Sequence, residues 1–219
     1  MDKYLLKRQA CEQRFAYDSQ KRAQYGVVCG IDEAGRGPFV GAVYAAAVIL
    51  PEGSFIEDLN DSKQLSEKKR ELLFDKITEI ASAYSISYAT VEEIEEYNIL
   101  QATFLAMNRA YLGLNVSADL ALIDGNRIPP FPCPVETVVK GDRVSASIAA
   151  ASILAKVARD RYMAELDKQY PEFCWLKNKG YGTAAHIEAL QKYGVTPVHR
   201  RSFLKKLEAK HGAFGEYRG

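Results

Sequence analysis

Apolar positions along this chain recur with two periods, and the changes between them mark out the elements. Residues 3–24 are charged with a weak helical stripe (Leu5, Leu6, Phe15), which predicts a leader helix laid on the rest of the domain. The runs VVCGID and VGAVYAAAVIL, between positions 27 and 50, are almost continuously apolar. They flank a Gly-Arg-Gly-Pro turn and predict an antiparallel hairpin. Ser66 then reads as a helix cap, followed by Leu73, Ile77, Ile80 and Tyr84 at helical spacing. YSISYATV predicts a strand, and Tyr97, Leu100, Phe104, Met107 and Tyr111 an amphipathic helix. LALIDG and VETVVKG are short apolar strands separated by a proline-rich link. An Ala/Ser-rich helix spans about 145–168, and a shorter one, about 184–193, is capped by Thr183 and stopped by Gly194.

This order of elements predicts an α/β domain on a mixed sheet. With 219 residues, 47% of them hydrophobic, the chain can bury a core without disulfides or a structural metal. Its cysteines (Cys11, Cys29, Cys133, Cys174) form no C-x-x-C pair, and His186, His199 and His211 lack metal-ligand spacing. The longest apolar stretch, VSASIAAASILAKVA, is too short to span a bilayer and contains Lys156. The expectation is a cytoplasmic monomer without membrane association. Net charge is +1, yet acids dominate between Glu52 and Glu96 while bases dominate from Lys177 to Lys206. That asymmetry predicts one basic face able to meet phosphates, although a solvated helix face would look the same.

The acids that interrupt apolar runs carry the candidate chemistry. Asp32 and Glu33 sit at the hairpin, Asp124 ends LALI, and Asp142 lies in KGDR. Ligand sites in α/β sheets gather at the carboxyl ends of parallel strands. Oxygen donors alone suit a hard divalent cation, and such a set could hold two ions about 3.5–4 Å apart to clamp a phosphodiester. An ordinary loop residue is the competing reading for each acid, strongest for Asp142 and weakest for Asp32 and Glu33, which interrupt an apolar hairpin. Side-chain alternation sends Asp32 and Glu33 to opposite faces unless the strand ends or twists there, which Gly35 and Gly37 would permit. The Gly-Arg-Gly step offers bare backbone to a sugar-phosphate chain, with Arg36 beside a phosphate.

Taken in order, GIDEAGRGPFVGAV, DSKQLS, LIDGN, VVKGDRVSASIAAASILAKVARD and KGYGTAAHIEAL…GVTPVHRRSF resemble bacterial ribonuclease HII, the type 2 ribonuclease H. The likeness runs from about Val27 to Phe203. It implies a ribonuclease H-like mixed five-stranded sheet flanked by helices, with a C-terminal helical segment. It also implies endonucleolytic cleavage of RNA in RNA/DNA hybrids and incision 5′ to ribonucleotides embedded in duplex DNA, leaving 5′-phosphate and 3′-hydroxyl ends. By motif, the metal-binding carboxylates are Asp32, Glu33, Asp124 and Asp142, holding two Mg²⁺ or Mn²⁺ ions. The 2′-hydroxyl reader falls on Gly35, Arg36 and Gly37, and the junction-sensing tyrosine on Tyr181. Lys63 and Arg200 are expected substrate contacts.

The implied division is a leader at 1–25, a catalytic core at 26–170 and a basic substrate-binding segment at 171–219. No role attaches to the leader, which lies outside the resemblance. Two other readings stand beside this one. Ribonuclease HIII carries a substantial extra N-terminal domain and usually a glutamate at the fourth acidic position, where this chain has Asp142. A non-catalytic nucleic-acid-binding module would use the basic face but would have no need of clustered acids.

Overall fold

The computed structural model describes residues 3–128 and 130–219. Helix α1 (Lys3–Tyr25) precedes strands β1 (Val28–Ala34) and β2 (Val43–Ile49). A 3-10 turn at Ser62–Gln64 leads into α2 (Glu67–Ile80), β3 (Ala83–Ala89), α3 (Val91–Leu112), β4 (Leu120–Asp124) and β5 (Val135–Val138). A second 3-10 turn, Gly141–Arg143, opens the long helix α4 (Ala146–Gln169). Beyond it lie α5 (Trp175–Asn178), α6 (Ala184–Tyr193) and α7 (Arg201–His211). The sheet has five strands, as the resemblance implies, in the order β3-β2-β1-β4-β5. β1 and β2 pair antiparallel, as do β2 and β3, while β4 lies parallel to both β1 and β5.

α4 crosses one face and α3 the other. Small residues govern the α4 side: a Cβ on Gly30 would stand 2.1 Å from the backbone carbon of Ser147, so only glycine lets this helix approach β1 so closely. That face encloses Ala46, Val48 and Leu50 of the hairpin with Leu73, Ile77 and the buried alanines of α4. The opposite face joins Cys29, Ile31, Ala45 and Ala47 to Ala102, Ala106 and Met107 of α3. A third cluster, around Phe173, Trp175, Leu190 and Leu204, gives the C-terminal segment its own apolar centre.

Three local readings change. α3 starts earlier than its apolar spacing indicated: Thr90 and Glu93 form a reciprocal capping box, and Asn98 (φ 68°) interrupts the helix. The Asn98 side chain restarts it by accepting from the amides of Leu100 and Gln101 at 3.0 and 3.3 Å. Tyr84 belongs to β3, not to the preceding helix. On α1, Leu5 and Leu6 are exposed, and the face turned inward is instead Cys11, Arg14, Phe15 and Asp18. Two charged residues on that stripe are what hid it from hydrophobic periodicity.

Candidate active site

The acids gather at the carboxyl ends of β1 and β4. Ile31 pairs with Ile123 in parallel register, which places Asp32 and Asp124 side by side at the next step. Alternation along β1, which continues to Ala34, turns Asp32 toward α4 and Glu33 toward α3. Glu33 lines a cavity of about 60 Å³ there with Arg36, Thr103, Met107 and Asp124. Asp124 is thus reached from both sides of the sheet edge. Asp142 arrives in the 3-10 turn before α4, behind Lys140 in a left-handed conformation (φ 56°). The Gly141 amide of that turn donates to Asp124 Oδ1 at 2.6 Å, tying the third acid to the fourth's loop.

The crowding has an electrostatic consequence. Burial, then Glu33 and Asp124, push the Asp32 carboxyl well above its ordinary range. Burial raises Glu33 as well, against the pull of Arg36, whose Nη1 lies 3.3 Å from Glu33 Oε1. Asp142 is raised to about 6 by burial and by Asp61 and Asp124. Burial alone would lower Lys63, but Asp32, Asp142, Asp61 and Asp124 together raise it, so its ammonium serves as their shared counter-charge.

Asp61 was invisible in the sequence, where only the lysine of DSK drew attention. It is 3% exposed and accepts from the Lys63 amide (2.9 Å), Gln64 (3.3 Å) and Arg143 Nη2 (3.1 Å). Those donors hold its pKa below the ordinary carboxylate value despite burial. The neighbouring Ser62 hydroxyl lies 2.9 Å from Ser152 of α4, keying this turn to the helix. The groups here that could ligate a metal are carboxylate oxygens, which fits a hard divalent cation. Among the described residues no three acid, imidazole or thiol groups stand ready-made around one point.

The Gly-Arg-Gly loop rests against the C-terminal segment. The Phe39 amide donates to the Gly180 carbonyl (2.9 Å) and the Gly41 amide to that of Val198 (2.9 Å). A Cβ on Gly37 would lie 3.4 Å from the ring of Tyr181, and one on Gly182 would strike the Phe39 ring at 2.1 Å. Tyr181, 50% exposed, therefore stands beside the loop with a free face. Gly35 takes φ 100° over the buried side chain of Arg159, where a Cβ would sit 2.1 Å from Nε.

Arg200 is a correction. Expected at a substrate phosphate, it is fully buried, and its guanidinium donates to the carbonyls of Gly35 (2.7 Å), Arg36 (3.2 Å), Pro38 (2.9 Å) and Gly41 (2.8 Å). It braces the loop from beneath. His199 is buried too, in a network whose tautomers follow from its partners. Trp175 Nε1 can only donate, so His186 Nε2 accepts from it (3.3 Å) and from His199 Nε2–H (3.1 Å). His186 Nδ1–H donates to the Tyr181 carbonyl (3.0 Å), and His199 Nδ1 accepts from the Thr196 amide (3.0 Å).

The family model described as Ribonuclease HII matches residues 29–206. The chain belongs to the ribonuclease HII family. Curated relatives of the same name include one from Vibrio campbellii, 58% identical over 179 residues (82% of this chain, 84% of that protein). Another, from Endomicrobium trichonymphae, is 60% identical over 177 residues (80% and 84%). Among solved structures, ribonuclease H2 from Pyrococcus horikoshii superposes with TM-score 0.71 at 30% identity, over 84% of this chain and 98% of that one. Bst-RNase HIII in complex with Mn²⁺ gives TM-score 0.60 at 19% identity, over 76% of this chain and 61% of that one, a likeness of fold alone. As a ribonuclease HII family member the chain is an enzyme, a ribonuclease H. No helix among the described residues is long and apolar enough to cross a membrane.

Proposed function

We propose that the protein hydrolyses the RNA strand of RNA/DNA hybrids and incises duplex DNA 5′ to an embedded ribonucleotide, leaving 5′-phosphate and 3′-hydroxyl ends. The observation that carries this reading is the meeting of mutually repelling carboxylates on β1, β4 and the Gly141–Arg143 turn, beside a Gly-Arg-Gly loop that abuts Tyr181.

Asp32, Glu33, Asp124 and Asp142 would hold two divalent ions, Mg²⁺ or Mn²⁺. When bound, these ions supply Lewis acidity for the attacking water and for charge on the leaving 3′-oxygen. The carboxylates' own part is to present oxygens whose repulsion is relieved only by positive charge. Lys63, already drawn toward the acids, would meet the incoming phosphate. The backbone of Gly35, Arg36 and Gly37 would approach the ribose and sense its 2′-hydroxyl, and Tyr181 would stack at the RNA–DNA junction. Lysines of the C-terminal segment would follow the duplex backbone, whereas a non-catalytic binding module leaves the acids without a purpose.

The test is a duplex holding one ribonucleotide, and separately a long hybrid, each incubated with protein and Mg²⁺ or Mn²⁺ and resolved on a denaturing gel. Cleavage 5′ to the ribonucleotide is expected, lost in Asp124→Asn with hybrid binding retained. Tyr181→Ala should harm single-site incision more than hybrid cleavage. Cleavage of the hybrid but not of the single site would remove the incision activity, and no cleavage of either would overturn the reading.

A further inference from the structure

Helix α1 lies outside residues 29–206, yet one of its faces grips the whole segment that carries Asp142. At the start of that segment, Tyr17 and Lys21 reach Glu136 of β5, at 3.0 and 2.6 Å. In the middle, Arg14 Nε donates to the backbone carbonyl of Asp142 itself (3.2 Å). The same guanidinium donates through Nη2 to Asn60 (2.6 Å), the residue before Asp61. At the far end the Asp18 carboxylate accepts from the Ser145 hydroxyl (2.6 Å), the Ser147 amide (2.7 Å) and the Ser147 hydroxyl (2.6 Å). Ser145 is the N-cap of α4, so Asp18 places a negative charge on the positive end of that helix dipole.

Both side chains are interior: Asp18 is 0% and Arg14 5% exposed. Charged groups hidden this deep are expensive unless hydrogen-bonded, and here each has several partners in the segment or its neighbour. The turn they hold contains Lys140 at φ 56°, a conformation a free loop would leave. Fastened at Glu136, Asp142, Ser145 and Ser147, the turn has little freedom to carry its carboxylate elsewhere.

From this we infer that α1 is a strut for the fourth carboxylate, with Arg14 and Asp18 as positioning residues that set metal affinity at Asp142. The inference rests on the two-ion reading above. It assigns to the leader a part in catalysis through another residue, with no contact to substrate.

The test uses the full chain with Arg14→Met, Asp18→Asn and a control, Leu190→Ala, which weakens the C-terminal cluster far from the turn. Mn²⁺ binding is measured by calorimetry without substrate, and amide hydrogen exchange is followed at residues 141–148. The strut variants should bind Mn²⁺ about 10–100-fold more weakly, the range for partners that orient a metal ligand. They should also exchange faster at 141–148, with Arg14→Lys recovering part of the loss. Leu190→Ala should leave both readouts at the wild-type level. Unchanged exchange and Mn²⁺ affinity in the strut variants, or equal losses in Leu190→Ala, would overturn the inference. Because exchange needs neither metal nor substrate, it decides the strut even if the wild type proves unable to cleave.

Discussion

Asp142 stands where its charge is least welcome. Buried, and facing Asp61 and Asp124, it titrates at about 6 instead of its ordinary 3.8. A carboxyl raised in this way stabilises the fold fully below its ordinary value, and that contribution is lost as pH rises through about 6. Replacing it by asparagine removes the repulsion while keeping the shape. Asp142→Asn should therefore unfold at a higher temperature than the wild type in metal-free buffer at pH 8, by an amount of order 1 kcal/mol. Added Mg²⁺ should raise the melting temperature of the wild type more than that of the variant. Cleavage should fall at least about 100-fold. A variant less stable than the wild type without metal would show that Asp142 is not strained by its neighbours. Asp32, Glu33 and Asp124 drew attention because each breaks or ends an apolar run, whereas Asp142 stood out only through the family motif that falls on it. Asp61 and Asp18 were not, since each sits among polar neighbours and gains meaning only from donors far away in sequence, Arg143 for one and Ser145 and Ser147 for the other.

Among elements, the connection between β1 and β2 shows how a loop is made into a rigid tool. Residues 35–42 have no strand of their own to satisfy their carbonyls. Arg200, just before α7, supplies the donors from below, and Arg159 of α4 adds a bond to Val40 at 3.2 Å. Removing such a donor leaves buried acceptors unpaired. Arg200→Met should cost about 3 kcal/mol or more in urea unfolding, since several charge-assisted bonds are lost together. It should weaken hybrid binding while leaving Mn²⁺ affinity near that of the wild type. Arg200→Lys should not restore hybrid binding, because a single ammonium cannot reach the acceptors that a planar fork spans. If metal affinity fell as far as hybrid binding, Arg200 would be supporting the acid cluster and not the loop. In the sequence this arginine looked like one more base in a basic tail.

At the scale of the molecule, the C-terminal segment is held together by buried polar contacts as well as by its apolar cluster. His186 and His199 link Trp175, Thr196 and the Tyr181 carbonyl, and every ring nitrogen is committed with both imidazoles neutral. Burial lowers His186, and burial together with His186 lowers His199 from 6.5 to about 3. The unfolded chain then binds the proton first, so the contribution of His199 is complete above its ordinary value and falls on acidification between about 6.5 and 3. The acid cluster titrates in the opposite sense over part of that range, and a difference measurement cancels it. The stability advantage of the wild type over His199→Gln should shrink by about 1 kcal/mol per pH unit from pH 6.5 to 4.5 in urea titrations. A constant difference would mean that the imidazole is protonated in the fold.

Alternation, spacing and the placing of glycines determined the strands, most helix boundaries and which acids could matter, because these depend on neighbours a few residues apart. The family likeness was legible for the same reason: its motifs are local strings. What depended on distant partners was decided only in three dimensions. The parallel register set Asp32 beside Asp124, Arg200 went inward because a loop far along the chain needed donors, and α1 turned charged residues toward the core because Asp142 and α4 waited there with matching groups. A polar side chain carries no mark of which partner will satisfy it, and burial supplies that partner only once the chain has closed on itself.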